Sequence, residues 1–155
     1  MNTTNQILFV ADSMLGKLAR YLRIMGYDTL YQPSYPDRRL SKLVMEGRIL
    51  LTRNHATARL YANSIFIEGD LVRDQLKALD SVLGLRRDHR DWFSRCSICN
   101  SALSKAEGEV ARENVPDFVF FNYHERILFC PSCKRFYWPG THREKMLERL
   151  KEWGF

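Results

Sequence analysis

All four cysteines of this 155-residue chain fall in two Cys-x-x-Cys pairs, Cys96-Ser-Ile-Cys99 and Cys130-Pro-Ser-Cys133. Two cysteines separated by two residues form a knuckle that delivers two thiolates to one ion, and two knuckles complete the tetrahedral shell that Zn²⁺ takes. Four sulfurs leave no position open for substrate. The expected role is therefore structural, with metal binding contributing on the order of 10 kcal/mol to the folding of a small lobe. The 30 residues between the pairs exceed the roughly 15 to 20 of the simplest ribbons, so the spacer is expected to fold as a hairpin or loop. The alternatives are a redox pair or four unrelated buried cysteines. A redox site needs one motif only, and neither pair follows a strand at a helix N-terminus.

Ahead of the cysteines the chain has another texture. Ile7 to Ala11 is a short apolar run that stops at a carboxylate, Asp12, as a buried parallel strand does. Helical period follows. Leu15, Leu18, Ala19, Leu22 and Met25 share one stripe, with Lys17, Arg20 and Arg23 on the opposite side. Ser13 is the expected N-cap and Gly26 the stop. Open α/β sheets keep their chemistry at the carboxyl ends of strands, which is where this unit puts Asp12.

Strands and helices go on alternating. Asp28 to Tyr31 reads as a second strand, and Pro33 and Pro36 punctuate a loop. A helix opens near Asp37, an N-cap residue type, carries Leu40, Leu43 and Val44 on one side, and ends at Gly47. Arg48 to Thr52 is a third strand, Ala56 to Tyr61 a short helix, and Ser64 to Ile67 a fourth strand. Residues 70 to 83 form an amphipathic helix stopped by Gly84. This order predicts an α/β domain, a parallel sheet with helices on its faces. Residues 86 to 94 read as a polar linker that docks through Trp92 and Phe93. Further on, Phe118 to Phe121 has the composition of a strand. Thr141-His-Arg-Glu144 reads as a capping box that opens a final helix, with Met146, Leu147, Leu150 and Trp153 on its apolar side.

The 24 Lys+Arg against 18 Asp+Glu give a net +6 and a pI near 9.3. That balance favours polyanionic partners such as RNA or DNA without requiring one. No apolar run approaches the ~18 residues of a membrane span. The N-terminus has no basic n-region and Ile7 to Ala11 is too short for a signal-peptide core, so the expectation is a cytoplasmic protein with reduced thiols.

Several residues could carry chemistry. Asp12 reads either as a ligand for Mg²⁺ or Mn²⁺ at the sheet edge or as an ordinary cap carboxylate. Asp37, on a loop from the same edge, is expected to converge with it. Asn54 can offer a carbonyl oxygen to a hard cation but no charge and no base. Asp70 and Asp74 read first as helix-start carboxylates complementing the macrodipole. Lys17, Arg20 and Arg53 are candidates to hold phosphate, and for the helix residues, Arg23 included, the alternative is a solvated face. His55, His89 and His124 have no ligand spacing, and His142 is expected to orient the ribbon. Tyr137 and Trp138 are expected to pack beside the second knuckle rather than stack on bases.

Five stretches occur in order: Phe9-Val-Ala-Asp-Ser-Met-Leu-Gly-Lys-Leu-Ala-Arg-Tyr-Leu-Arg-Ile-Met-Gly-Tyr-Asp28, Ile49-Leu-Leu-Thr-Arg-Asn54, Arg95-Cys-Ser-Ile-Cys-Asn100, Cys130-Pro-Ser-Cys133 and Phe136-Tyr-Trp-Pro-Gly-Thr-His142. Over nearly its whole length the chain resembles the Mut-seven C-terminal RNase family, a PIN-like nuclease domain followed by a zinc ribbon. The resemblance implies a PIN-like α/β fold and a metal-dependent RNase activity. Asp12 and Asp37 match acidic positions of the family, and the four cysteines match the ribbon ligands. One departure stands out: the family's Thr-Arg-Asp after the third strand is here Thr52-Arg53-Asn54. PIN-type chemistry clusters carboxylates around one or two divalent ions, so the missing charge weakens the implied site.

The expected organisation is thus a PIN-like domain over residues 1 to 88 and a Cys₄ zinc ribbon with a C-terminal helix over 89 to 155. Two functions follow. One is a metal-dependent endoribonuclease using Asp12, Asp37 and Asn54, with Lys17, Arg20 and Arg53 on the phosphate. The other is a non-catalytic RNA-binding or adaptor protein that keeps the fold and the ribbon.

Overall fold

The computed structural model describes residues 6–85 and 88–155. The N-terminal residues 1–5, and Arg86 and Arg87 of the expected linker, lie outside the described residues. The chain divides into two compact units, Met1–Asn100 and Ser101–Phe155.

In the first unit four strands, β1 (Leu8–Ala11), β2 (Asp28–Tyr31), β3 (Ile49–Thr52) and β4 (Ser64–Phe66), form one sheet in the order β2-β1-β3-β4. Every pairing is parallel. Between them run α1 (Gly16–Ile24), α2 (Asp37–Met45) and α3 (His55–Leu60), and α4 (Val72–Leu83) follows β4. Phe9, Val10, Ala11, Leu50 and Leu51 are fully buried, as a strand covered on both faces requires. Val10 and Leu50 cluster with Leu40 and Leu43 of α2. By the two-residue period of a strand, Phe9, Ala11 and Leu51 point to the other face. Because β2 and β3 lie on either side of β1, the chain reverses its winding there, and the connections leaving β1 and β3 diverge at the carboxyl edge. Such a divergence opens a crevice.

Local detail departs from the sequence reading at both helix starts. Ser13 is not a cap. Asp12 is the cap of a 3₁₀ turn, Ser13–Leu15, and its carboxylate accepts from the Ser13 N–H at 2.6 Å. Asp37 is the first residue of α2, behind Pro36, because proline supplies the fixed φ that a helix entry favours and leaves the carboxylate free of capping. Gly16 lets Tyr31 close over the start of α1: a Cβ there would lie 3.0 Å from the ring, whose hydroxyl donates to the Ser13 carbonyl at 3.0 Å. Gly26 ends α1 at φ 89°, and a Cβ at that position would meet the Asp91 carbonyl at 2.5 Å. Trp92 is buried and packs against His89, and the Phe93 N–H donates to the Ile24 carbonyl. The segment is held by the buried Trp92 and by the backbone of Phe93.

The second unit holds a three-stranded antiparallel sheet of very short strands, β5 (Ser104–Lys105), β6 (Leu128–Phe129) and β7 (Phe136–Tyr137). Two helices, α5 (Gly108–Asn114) and α6 (Asp117–Tyr123), occupy the spacer between β5 and β6, and α7 (Thr141–Glu152) closes the chain. The strand expected at Phe118 to Phe121 is therefore helical. Its β-favouring composition is overridden by the start signal Pro116-Asp117, and only Val119 of the helix is fully buried. Val119 joins Ala106, Ala111, Val115 and Ile127 in a cluster covered by Phe120, Phe129, Phe136 and Trp138. Trp138 packs, as expected. The capping box does not form: Thr141 is the first residue of α7, behind Gly140, with no side-chain cap. Among the described residues no helix is long and apolar enough to cross a membrane.

Candidate active site

The carboxyl edge of the parallel sheet holds a cavity of about 350 Å³ whose walls include Asp12, Asp37, Tyr35, Leu60 and Tyr61. Asp12 follows β1, Asp37 begins the helix after β2, and Leu60 and Tyr61 close the helix after β3. Three consecutive crossovers thus contribute to one crevice. The two carboxylates expected to converge do line the same space.

Asp12 is held rather than free. Its Oδ1 takes the Ser13 N–H and its Oδ2 takes the Thr52 hydroxyl at 2.7 Å, while the Thr52 hydroxyl oxygen accepts the Asn54 N–H at 3.0 Å. One bond to each carboxylate oxygen leaves a further lone pair on both. The carboxylate is oriented and still able to bind a cation. Sequence reading passed over Thr52, whose signal is a hydroxyl at the last residue of a buried strand.

The remaining candidates do not join the carboxylates. The Asn54 side-chain oxygen caps α3, accepting the Thr57 N–H at 3.1 Å, and Asn54 is not among the cavity walls. Arg53 pairs with the exposed Asp70 at 2.8 Å, and Asp74 pairs with Arg73 at 3.1 Å. Lys17 and Arg20 are exposed on α1, outside the cavity walls. Arg23 is not on a solvated face at all. It is 5% exposed and donates to the carbonyls of Thr29, Ser97 and Ile98 at 2.8, 3.3 and 2.8 Å. Burial holds its pKa below the arginine range against the charges of Cys96, Cys99, Tyr35 and Asp28. His55 stacks on Phe66 at 3.8 Å, and His124 lies against Phe120.

Among the described residues the four cysteine sulfurs form a cluster suited to a metal, all within 4.8 Å of one another. The two knuckles share a backbone. In each, the N–H of the second cysteine points at the sulfur of the first at 3.5 Å, and the N–H of the next residue donates to the first cysteine's carbonyl at 2.9 Å. That next residue is left-handed in both, Asn100 at φ 73° and Lys134 at φ 62°. Four converging sulfurs, with N–H groups aimed at two of them, fit a tetrahedral Zn²⁺ and its thiolate charge.

Against known sequences, the model of the Mut7-C RNAse domain matches residues 7–150. The chain belongs to that family. A relative in Homo sapiens, "Exonuclease mut-7 homolog", is 35% identical over 124 residues, covering 75% of this chain and 14% of that protein. The chain therefore spans a small part of the relative it matches. Within the Mut7-C RNAse domain family, the matched region takes in both the carboxylate cavity and all four cysteines. Membership of an RNAse domain family supports a nuclease role.

Proposed function

We propose that this member of the Mut7-C RNAse domain family is a metal-dependent endoribonuclease whose site is the cavity at the carboxyl edge of the parallel sheet. The observation that carries the reading is that Asp12 and Asp37, from separate crossovers, line one cavity. Two carboxylates are hard oxygen donors, the set that suits Mg²⁺ or Mn²⁺. A divalent ion bound there supplies an activated water and stabilises the leaving oxygen. The chain's own work is to orient. Thr52 and the Ser13 N–H fix the Asp12 carboxylate, and Tyr31 fixes the loop that carries it. Exposed Lys17 and Arg20 attract the phosphate backbone, and Arg53 joins them by exchanging Asp70 for a phosphate. The first unit carries fifteen Lys+Arg against ten Asp+Glu, so most of the basic excess lies on the domain that holds the cavity. Zn²⁺ in the four-cysteine cluster stays structural.

The direct test is a closed circular single-stranded RNA with Mn²⁺. A circle has no ends, so linear product requires internal cleavage. Asp12→Asn should lower the rate about 10²-fold or more while the zinc content stays unchanged. A circle left intact in every metal, with binding that weakens steeply in salt, would instead support a non-catalytic RNA-binding protein.

A further inference from the structure

The carboxylates account for only part of the cavity. Tyr61 and Leu60 from the end of α3, and Tyr35 from the loop before α2, give it an apolar side. Leu60 is 79% exposed, so its side chain is open to a partner entering the cavity. Tyr61 is fixed from two directions. Its hydroxyl shares a 3.0 Å hydrogen bond with Ser41 of α2, and its ring packs against the Val10, Leu40, Leu43 and Leu50 cluster while lining the cavity. A ring held by a hydroxyl anchor and a hydrophobic backing loses little freedom when something stacks on it.

We propose that Tyr61, with Leu60 beside it, is a seat for one unstacked nucleobase of single-stranded RNA next to the phosphate addressed by Asp12 and Asp37. This rests on the ribonuclease reading of the cavity and adds a substrate class to it. The volume, about 350 Å³, lies at the low end for small-ligand sites and has room for one nucleotide rather than a paired step. Any base offers a π-face, so the seat selects for single strands without selecting a sequence. An A-form helix would have to give up a stacked, paired base to fill it.

The test uses the full chain in Ca²⁺ with single-stranded RNA trimmed to the shortest length that binds, so that one register is available, carrying 2-aminopurine at successive positions. Quenching is expected at one register. An abasic nucleotide placed there should weaken binding about tenfold or more, by the usual strength of base–aromatic stacking. Tyr61→Leu should weaken binding of intact RNA by a similar factor and lose nothing further on the abasic strand. Tyr61→Phe keeps the ring and should bind nearly as the native protein does, which separates stacking from the Ser41 bond. Native affinity in Tyr61→Leu overturns the proposal. So does an equal loss on intact and abasic strands, which would mark Tyr61 as a packing residue only. The two readings fail separately. Asp12-dependent cleavage with an indifferent Tyr61 removes the seat and leaves the nuclease. Register-specific quenching without cleavage in any metal removes the nuclease and leaves the seat.

Discussion

The cavity and the cysteine cluster offer oxygen and sulfur to a cation in opposite ways. At the cysteines every ligand is a potential full charge, the backbone N–H groups at 3.5 Å already face two of the sulfurs, and both first cysteines are fully buried. Such a set saturates its ion. At the sheet edge two carboxylates line an open space, the third candidate is a neutral Asn54 already spent on capping α3, and Asp37 is exposed. A divalent ion in the proposed site would keep coordination positions for water and substrate. Enclosure separates a metal that holds a fold from one that can do chemistry.

The largest effect expected from that contrast is loss of the sulfur site. Cys130→Ser, or prolonged chelation, should remove the one equivalent of zinc read by elemental analysis and cost stability on the order of 10 kcal/mol, the scale of structural zinc. Asp12→Asn should keep the zinc and nearly all the stability, because the amide oxygen can still accept the Ser13 N–H. Equal melting losses in both variants would break the distinction.

Next comes the arginine behind the first knuckle. Arg23→Met removes the donor to the buried Thr29 carbonyl and to the part-buried Ile98 carbonyl, and a buried acceptor left unpaired costs about 1–3 kcal/mol. A loss of roughly 1–3 kcal/mol is expected in denaturant unfolding. Arg20→Met, exposed on the same helix, should stay within about 0.5 kcal/mol. The knuckle is also tied to the sheet by Asn100, whose amide donates to Asp28 and whose carbonyl oxygen accepts the Thr29 N–H, at 2.8 and 2.9 Å. Burial pushes the Asp28 carboxyl up. The hydrogen bonds from Arg48 and Asn100, with the charges of Arg48 and Arg95, outweigh it and hold the group below the carboxylate range. Asp28 is thus an acid at the amino end of its strand, busy with structure, whereas Asp12 and Asp37 are at the carboxyl end.

A smaller effect tests the missing charge. Asn54→Asp should keep the cap of α3, since the two residues cap equally well, and add a carboxylate at the end of β3. Cleavage in Mn²⁺ should rise about tenfold, worth ~1.4 kcal/mol in the barrier. An unchanged rate would mean that the cap holds the side chain away from the ion.

How much of this was legible depends on range. Periodicity located α1, α2 and α4 and all four strands of the parallel sheet, because buried strands and amphipathic helices write their environment locally. The same logic put Asp12 and Asp37 at the carboxyl edge. It missed what neighbours decide. Arg23 has helical spacing identical to Lys17 and Arg20, and what sets it apart is its bonds to the Thr29 carbonyl and to those of residues 97 and 98, more than seventy positions away. Phe118 to Phe121 looked like a strand because propensity was read without Pro116. Asn54 looked like a ligand because its capping partner, Thr57, is invisible until α3 is drawn.

The finest comparison lies within the cavity, between its carboxylates and Tyr35. Burial pushes the Tyr35 phenol above its ordinary value of 10.0, against the opposing charges of Arg23, Arg39 and Arg48. A folded-state pKa above the unfolded one means that the native state holds its proton longer. The associated stability is fully present below about pH 10 and is lost as pH rises through the raised folded value. Tyr35→Phe has no proton to lose. The difference in unfolding free energy between the native protein and Tyr35→Phe should therefore be flat from pH 7 to 9, then move against the native protein as pH climbs past 10. Using the difference cancels the titration of other tyrosines and lysines. Absorbance at the phenolate band supplies the second readout, with one tyrosine ionising late in the native protein and absent from the variant. A flat difference across the whole range would place Tyr35 in water, and the cavity would then lack the sheltered wall that sets it apart from an exposed pair of carboxylates.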